Sequence, residues 1–317
     1  MSCVRGLITS GVSGVPSVAK EDDLKIISKL DNLLGEGEVA MAIIAPYRGL
    51  RVTPRAVLYP YIDFPEEFNV SRALEDIKEH LLHKDLLEEG RIIKRLYLLI
   101  QSPGGSVVSS FKVAKLIRES AREVISFIIH FALSGGTLIV LASNKIVMGP
   151  VSHVSPIDIQ ITYRGIYVSS NDIIRAFEGI TSLFEEISEE HAPYPWKVVA
   201  KKMDPIMIQE AIDTNVLAKM YALRLLQHEF SSFKDRASDI VETLVEGYPT
   251  HDYVIDCEEL KRVLGNDFVV CVDELSEDDN IRRLWQVFET WFSKYKDVAS
   301  DRHIIRYYIK RSRAKEE

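Results

Sequence analysis

The chain has 317 residues, 46% hydrophobic and 27% charged, which suits one large domain or two ordinary ones and excludes a disordered polymer. A net charge of −8 offers no basic field for nucleic acid or anionic lipid, so no nucleic-acid partner is expected. Three cysteines (Cys3, Cys257, Cys271) without CxxC spacing predict free thiols in a reducing compartment and no metal site.

Residues 1–20 are small and rich in Gly, Ser and Val, the composition of a loose arm. The stretch 1–23 has no continuous apolar core of a leader, and no run of about 18 apolar residues occurs. A cytoplasmic protein is expected, with membrane association only through a partner. "DDLKIISKLDNLLGEG" (22–37) reads as a short amphipathic helix stopped by glycine. Residues 39–49 and 56–62 read as strands, and 69–86 as a helix capped by Asn69 or Ser71.

A repeating pattern follows. "RLYLLIQ" (95–101) is an apolar strand run ending at "SPGGS" (102–106), and 107–120 has helical spacing. "EVISFIIH" (123–130) is the next strand, "SGGTLIVLAS" (134–143) the next helix and "KIVMGP" (145–150) the next strand. Strand, glycine turn and helix in alternation predict an α/β fold with a mainly parallel sheet. The continuous apolar runs fit strands buried on both faces.

Residues 171–191 read as a helix. A longer one spans 204–230, with Asp204 as cap and Pro205 at its first position. A third covers 235–249, closed by Gly247 and Pro249. Residues 263–317 read as a helical extension whose aromatic stripe (Trp285, Phe288, Trp291, Phe292, Tyr295, then Ile304, Ile305, Tyr307, Tyr308) packs on its own domain or a neighbour.

Both glycine turns fall at the carboxyl ends of parallel strands, where open α/β sheets place ligands. Gly104 and Gly105 tolerate positive φ and a close backbone approach. Ser134 stands at the mouth of a helix whose first amides favour a developing oxyanion. The Gly135 amide, with one from Gly104 or Gly105, would form an oxyanion hole for acyl transfer. The turn is not a GxSxG elbow, because Ala132 stands two positions before the serine. Each turn alone is a weak signal; their pairing in one βαβ unit is informative.

"LLIQSPGGSVVSSFKVAKLIRES" followed by "ALSGGTLIVLASNKIVMGPVSHVSPIDIQI" resembles the Clp-protease/crotonase superfamily, and within it the serine dehydrogenase proteinase family. Members carry a nucleophilic serine in a stretch like "AMSGGT", a turn like "TPGG", a downstream "GPxDPQ" and a stretch like "THDYPI", here "PTHDYVID" (249–256). Ile159 and Val254 stand where the family shows proline. The resemblance implies a spiral of ββα units over residues 38–262, preceded by an arm and short helix (1–37) and followed by the extension. It implies a serine endopeptidase that needs no cofactor, with Ser134 as nucleophile, His251 as base, Asp158 as its orienting carboxylate, and Gly104, Gly105 and Gly135 around the oxyanion.

Serine needs a base within hydrogen-bond reach. His153, 19 residues after Ser134, is the alternative base, and Asp252 the alternative orienter. A Ser-Lys dyad would rest on Lys197, Lys201 or Lys202. His130 would only line the site, and His80, His83, His191, His228 and His303 read as solvated. Two other readings compete: a crotonase-like acyl-CoA-binding enzyme, disfavoured by the absence of glutamate from 130–160, and an inactive scaffold subunit. By analogy the partners are a peptide or protein substrate, further copies of the chain, and an external ATPase or membrane protein. The chain has no GxxxxGK[ST] loop of its own.

Overall fold

The computed structural model describes residues 21–48, 50–53, 56–58, 60–88, 92–163, 166–227, 233 and 235–310. The expected N-terminal arm, Cys3 and His228 lie outside the described residues. In chain order the elements are α1 (Glu21–Leu33), β1 (Glu38–Ile44), β2 (Leu50–Thr53), β3 (Ala56–Leu58), α2 (Phe64–Leu82), β4 (Ile93–Gln101) and α3 (Val107–Ser120). Next come β5 (Ala121–Ile128), β6 (Phe131–Ala132), α4 (Gly135–Val140), β7 (Lys145–Met148), β8 (His153–Val154), β9 (Gln160–Tyr163) and β10 (Ile166–Ser169). The remainder is α5 (Ser170–Glu186), α6 (Tyr194–Lys202), α7 (Pro205–Leu226), α8 (Ala237–Glu246), α9 (Cys257–Leu264), β11 (Val269–Cys271), α10 (Asn280–Tyr295) and β12 (Ile304–Ile309).

The apolar runs form a six-stranded sheet in the order β11-β7-β5-β4-β1-β12. Its first five strands are parallel and β12 runs antiparallel to β1. Both faces are covered, as the unbroken runs require: in β4, Leu96, Leu98 and Ile100 enter one core while Tyr97 and Leu99 enter the other. Burying such a side chain contributes about 1.5–3 kcal/mol, so the sheet is the stable frame from which the turns project. The chain is thus an α/β protein with a mainly parallel sheet and helices towards the C-terminus.

Three local expectations are corrected. The second helix starts at Phe64, capped by Asp63 rather than Asn69 or Ser71, because Asp63 and Glu66 form a reciprocal capping box with Pro65 in the first turn. Residues 304–309 form a strand and not a helix. Ile305 and Tyr307 enter one core and Tyr308 the other, and a six-residue run buried on both sides has no period to distinguish it from a helix. Cys257 and Cys271 are joined in a disulfide across α9 and β11, so the reading of free thiols fails for this pair.

A smaller strip of backbone pairing positions the site. β6 pairs with β8, and isolated bridges add Ser102 beside Ala132 and Ile255 beside Val154. Gly104, Ser134, Asp158 and His251 each stand within four residues of a member of this strip. One band of main-chain hydrogen bonds therefore gathers segments that span about 150 positions of sequence.

Candidate active site

Ser134 caps α4 with φ 50° and ψ −111°, a left-handed conformation for a residue with a Cβ. Such strain costs about 1–3 kcal/mol and persists only where the surroundings enforce it. Here the Ser134 amide donates to Ser155 Oγ at 2.8 Å, and Thr137 Oγ1 lies 2.7 Å from the Ser155 carbonyl oxygen. These bonds grip the turn from beneath and leave Ser134 Oγ without a hydrogen-bond partner among the described residues. The side chain is half-buried. With only six residues, α4 acts through its individual first amides more than through a helix dipole.

The other glycine turn packs directly against this one. A Cβ on Gly104 (φ 95°) would stand 2.6 Å from the Leu133 carbonyl oxygen and 3.0 Å from Ser134 Cβ. A Cβ on Gly135 would lie 3.2 Å from the Gly105 nitrogen. The Gly104 amide points inward and donates to Ser102 Oγ at 3.1 Å. Among the described residues neither the Gly105 nor the Gly135 amide has an acceptor. The donors left free beside Ser134 therefore belong to Gly105 and Gly135.

His251 Nδ1 lies 3.8 Å from Asp158 Oδ2, just beyond hydrogen-bond distance, with the histidine side chain 18% exposed and the aspartate 2%. Asp158 is held by Ser169 Oγ at 2.5 Å, Ser170 Oγ at 3.2 Å and the Asn171 amide at 3.5 Å, all at the start of α5. These donors make a buried carboxylate tolerable, which would otherwise cost several kcal/mol. Burial pushes the His251 pKa down, but the Asp158 carboxylate, helped by Asp252, outweighs it and holds the imidazole above its ordinary value. With Nδ1 turned to Asp158, Nε2 is the nitrogen left for chemistry. No hydrogen bond joins His251 to Ser134 Oγ here.

Residues 90–275 match the model of the ClpP-like SDH-type serine proteinases. The chain belongs to this family. Two uncharacterized proteins of Methanocaldococcus jannaschii are relatives. One is 28% identical over 253 residues, covering 79% of this chain and 74% of the relative. The other is 27% identical over 168 residues, covering 52% of this chain and about half of the relative, 49%. Solved structures similar to the chain include a mutant 1510-N membrane-bound stomatin-specific protease (14% identity, TM-score 0.40, covering 70% of this chain and 78% of that one). Another is the ClpP protease catalytic domain from Plasmodium falciparum (12% identity, TM-score 0.41, 81% and 93%).

The remaining sequence candidates have other neighbours. The His153 ring packs against Phe131 and His130, each with ring centroids 6.1 Å away, in a cluster that includes Tyr47. Burial, with His153 close by, lowers the His130 pKa. Asp252 is exposed and reaches His251 only through space. Lys197, on α6, donates to the Glu190 carbonyl, and Lys201 and Lys202 are exposed.

His303 is buried, not solvated; its Nε2 lies 3.0 Å from Ser102 Oγ and its Nδ1 3.8 Å from Glu66 Oε1. Its burial depends on β12 joining the sheet edge, which nothing local to "SDRHIIRYY" announces. Asp63 and Glu66 do carry the capping-box spacing, the one signal that could have located Glu66.

Among the described residues no helix is long and apolar enough to cross a membrane.

Proposed function

We propose that the chain is a serine endopeptidase that cleaves peptide bonds through an acyl-enzyme on Ser134. Family membership supports a serine peptidase, and the observation that carries the finer reading is the strained Ser134 beside two acceptor-free amides. In this reading Ser134 Oγ attacks the substrate carbonyl and passes its proton to His251 Nε2. The Asp158 carboxylate holds the imidazole orientation and stabilises the imidazolium. The carbonyl oxygen, now an oxyanion, accepts from the Gly105 and Gly135 amides, with Gly104 shaping the turn. The leaving amine takes the proton from His251, and water deacylates the serine by the same route. Loss of one oxyanion donor typically costs about 10²–10³ in rate, so the Gly105 and Gly135 amides would carry a large share of the acceleration.

The proposal includes a cytoplasmic, self-associating enzyme. Self-association is supported by exposed apolar side chains on β10 and α5–α7, among them Tyr167, Tyr194 and Ile206. A fluorophosphonate probe should label the wild type and not Ser134→Ala. Equal labelling of both would remove Ser134 as nucleophile, and no labelling of either would favour the inactive scaffold.

A further inference from the structure

We propose that His303 and Ser102 are positioning residues: a buried Glu66–His303–Ser102 relay fixes the glycine turn that faces the nucleophile. The inference rests on the reading of Ser134 given above, and it adds residues from both sides of the 90–275 family region.

Ser102 is the junction of the two turns. Its amide donates to the Phe131 carbonyl and its carbonyl accepts from the Leu133 amide, pinning the strand that delivers Ser134. Its side-chain oxygen accepts from the Gly104 amide at 3.1 Å and meets His303 Nε2 at 3.0 Å. The His303 side chain is 0% exposed and Glu66 5%. Glu66 is itself fixed, since its Oε2 accepts from the Asp63 amide at 3.2 Å.

The hydrogens balance in one arrangement. With the His303 proton on Nδ1, facing the Glu66 carboxylate, Nε2 accepts the Ser102 hydroxyl hydrogen. That leaves Oγ lone pairs for the Gly104 amide. Gly104 is drawn inward, and the following peptide is turned so that the Gly105 amide stays free. The same turn is held from outside, because the Ile62 amide donates to the Gly104 carbonyl and the Ile62 carbonyl accepts from the Ser106 amide. Without His303, Ser102 Oγ can rotate, and displacement of the turn by ~1 Å is enough to cost about 10²-fold in rate.

Two readouts test this, one independent of turnover. Phosphonylation rates by the fluorophosphonate probe compare wild type, His303→Leu and His303→Gln, whose side-chain amide restores a polar partner for Ser102. Amide hydrogen exchange by NMR in a Ser134→Ala background follows Gly104, with Gly149, bonded to Ser152 Oγ, as the remote reference. His303→Leu is expected to slow phosphonylation by about 10–10² and to speed Gly104 exchange relative to Gly149, with His303→Gln recovering most of both. Unchanged Gly104 exchange in His303→Leu, or equal acceleration at Gly149, overturns the relay. Faster Gly104 exchange with unchanged phosphonylation overturns the positioning role. A wild type that is not labelled, but whose Gly104 exchange still follows His303, refutes the peptidase reading and leaves the relay standing.

Discussion

With Ser134, His251 and Asp158 acting together as proposed, the molecule carries two serine–histidine–carboxylate sets, and in both the histidine Nδ1 lies 3.8 Å from the acid. They differ in everything else that matters to chemistry. Ser134 sits at φ 50° with its hydroxyl unpartnered among the described residues, whereas Ser102 directly follows a regular strand and its oxygen has two partners. His251 keeps part of its ring in the open while His303 is sealed. A nucleophile needs an accessible oxygen, a base with one free nitrogen and donors nearby. In the buried set the serine oxygen is held by two partners and is not free to attack. In the proposed roles, occupancy of the serine oxygen and backbone strain, not residue type, distinguish the reactive set from the positioning one.

The largest effect should come from the base. His251→Ala is expected to lower the phosphonylation rate by about 10⁶, as removal of a catalytic histidine does in serine proteases, while Asp158→Asn should cost about 10⁴ by leaving the wrong tautomer in place. If His153→Ala costs as much and His251→Ala nothing, the open set has been misassigned.

A pH profile sharpens the same contrast. His251 must be neutral to accept a proton, and Asp158 holds its pKa above the ordinary 6.5. Phosphonylation should therefore rise with a midpoint above 6.5, and Asp158→Asn should move that midpoint down. The linked stability has the opposite sense. The His251–Asp158 attraction adds stability below the unfolded-state value, which is lost as pH rises through the raised folded-state one, and chemical denaturation across that window reads it.

Gly104→Ala tests how tightly the two turns are packed. It forces a Cβ at φ 95° against the Leu133 carbonyl, and should cost about 1–3 kcal/mol of stability together with most of the labelling. The smallest effect belongs to His191, an exposed residue whose ring hydrogen-bonds Ser188. His191→Ala should leave both measurements within about 0.5 kcal/mol.

The contrast also marks what could be read from sequence. The strand–glycine–helix rhythm from Leu96 to Met148 is local, so its elements and Ser134 stood out directly. The "SPGG" and "SGGT" turns announce their backbone demands through glycine itself. His251 and Asp158 came through resemblance, since 93 positions separate them and no local pattern links them. His303 was opaque because its burial depends on β12 pairing with β1, a contact across more than 250 positions. The Cys257–Cys271 bond was missed for a similar reason: it depends on α9 and β11 lying side by side.

Mapping the fluorophosphonate adduct by mass spectrometry after proteolysis identifies which serine reacts. Modification is expected on the peptide carrying Ser134, with none on the peptide carrying Ser102 and loss of the adduct in His251→Ala. An adduct on Ser102, or one on Ser134 that forms equally fast without His251, would contradict the proposed mechanism.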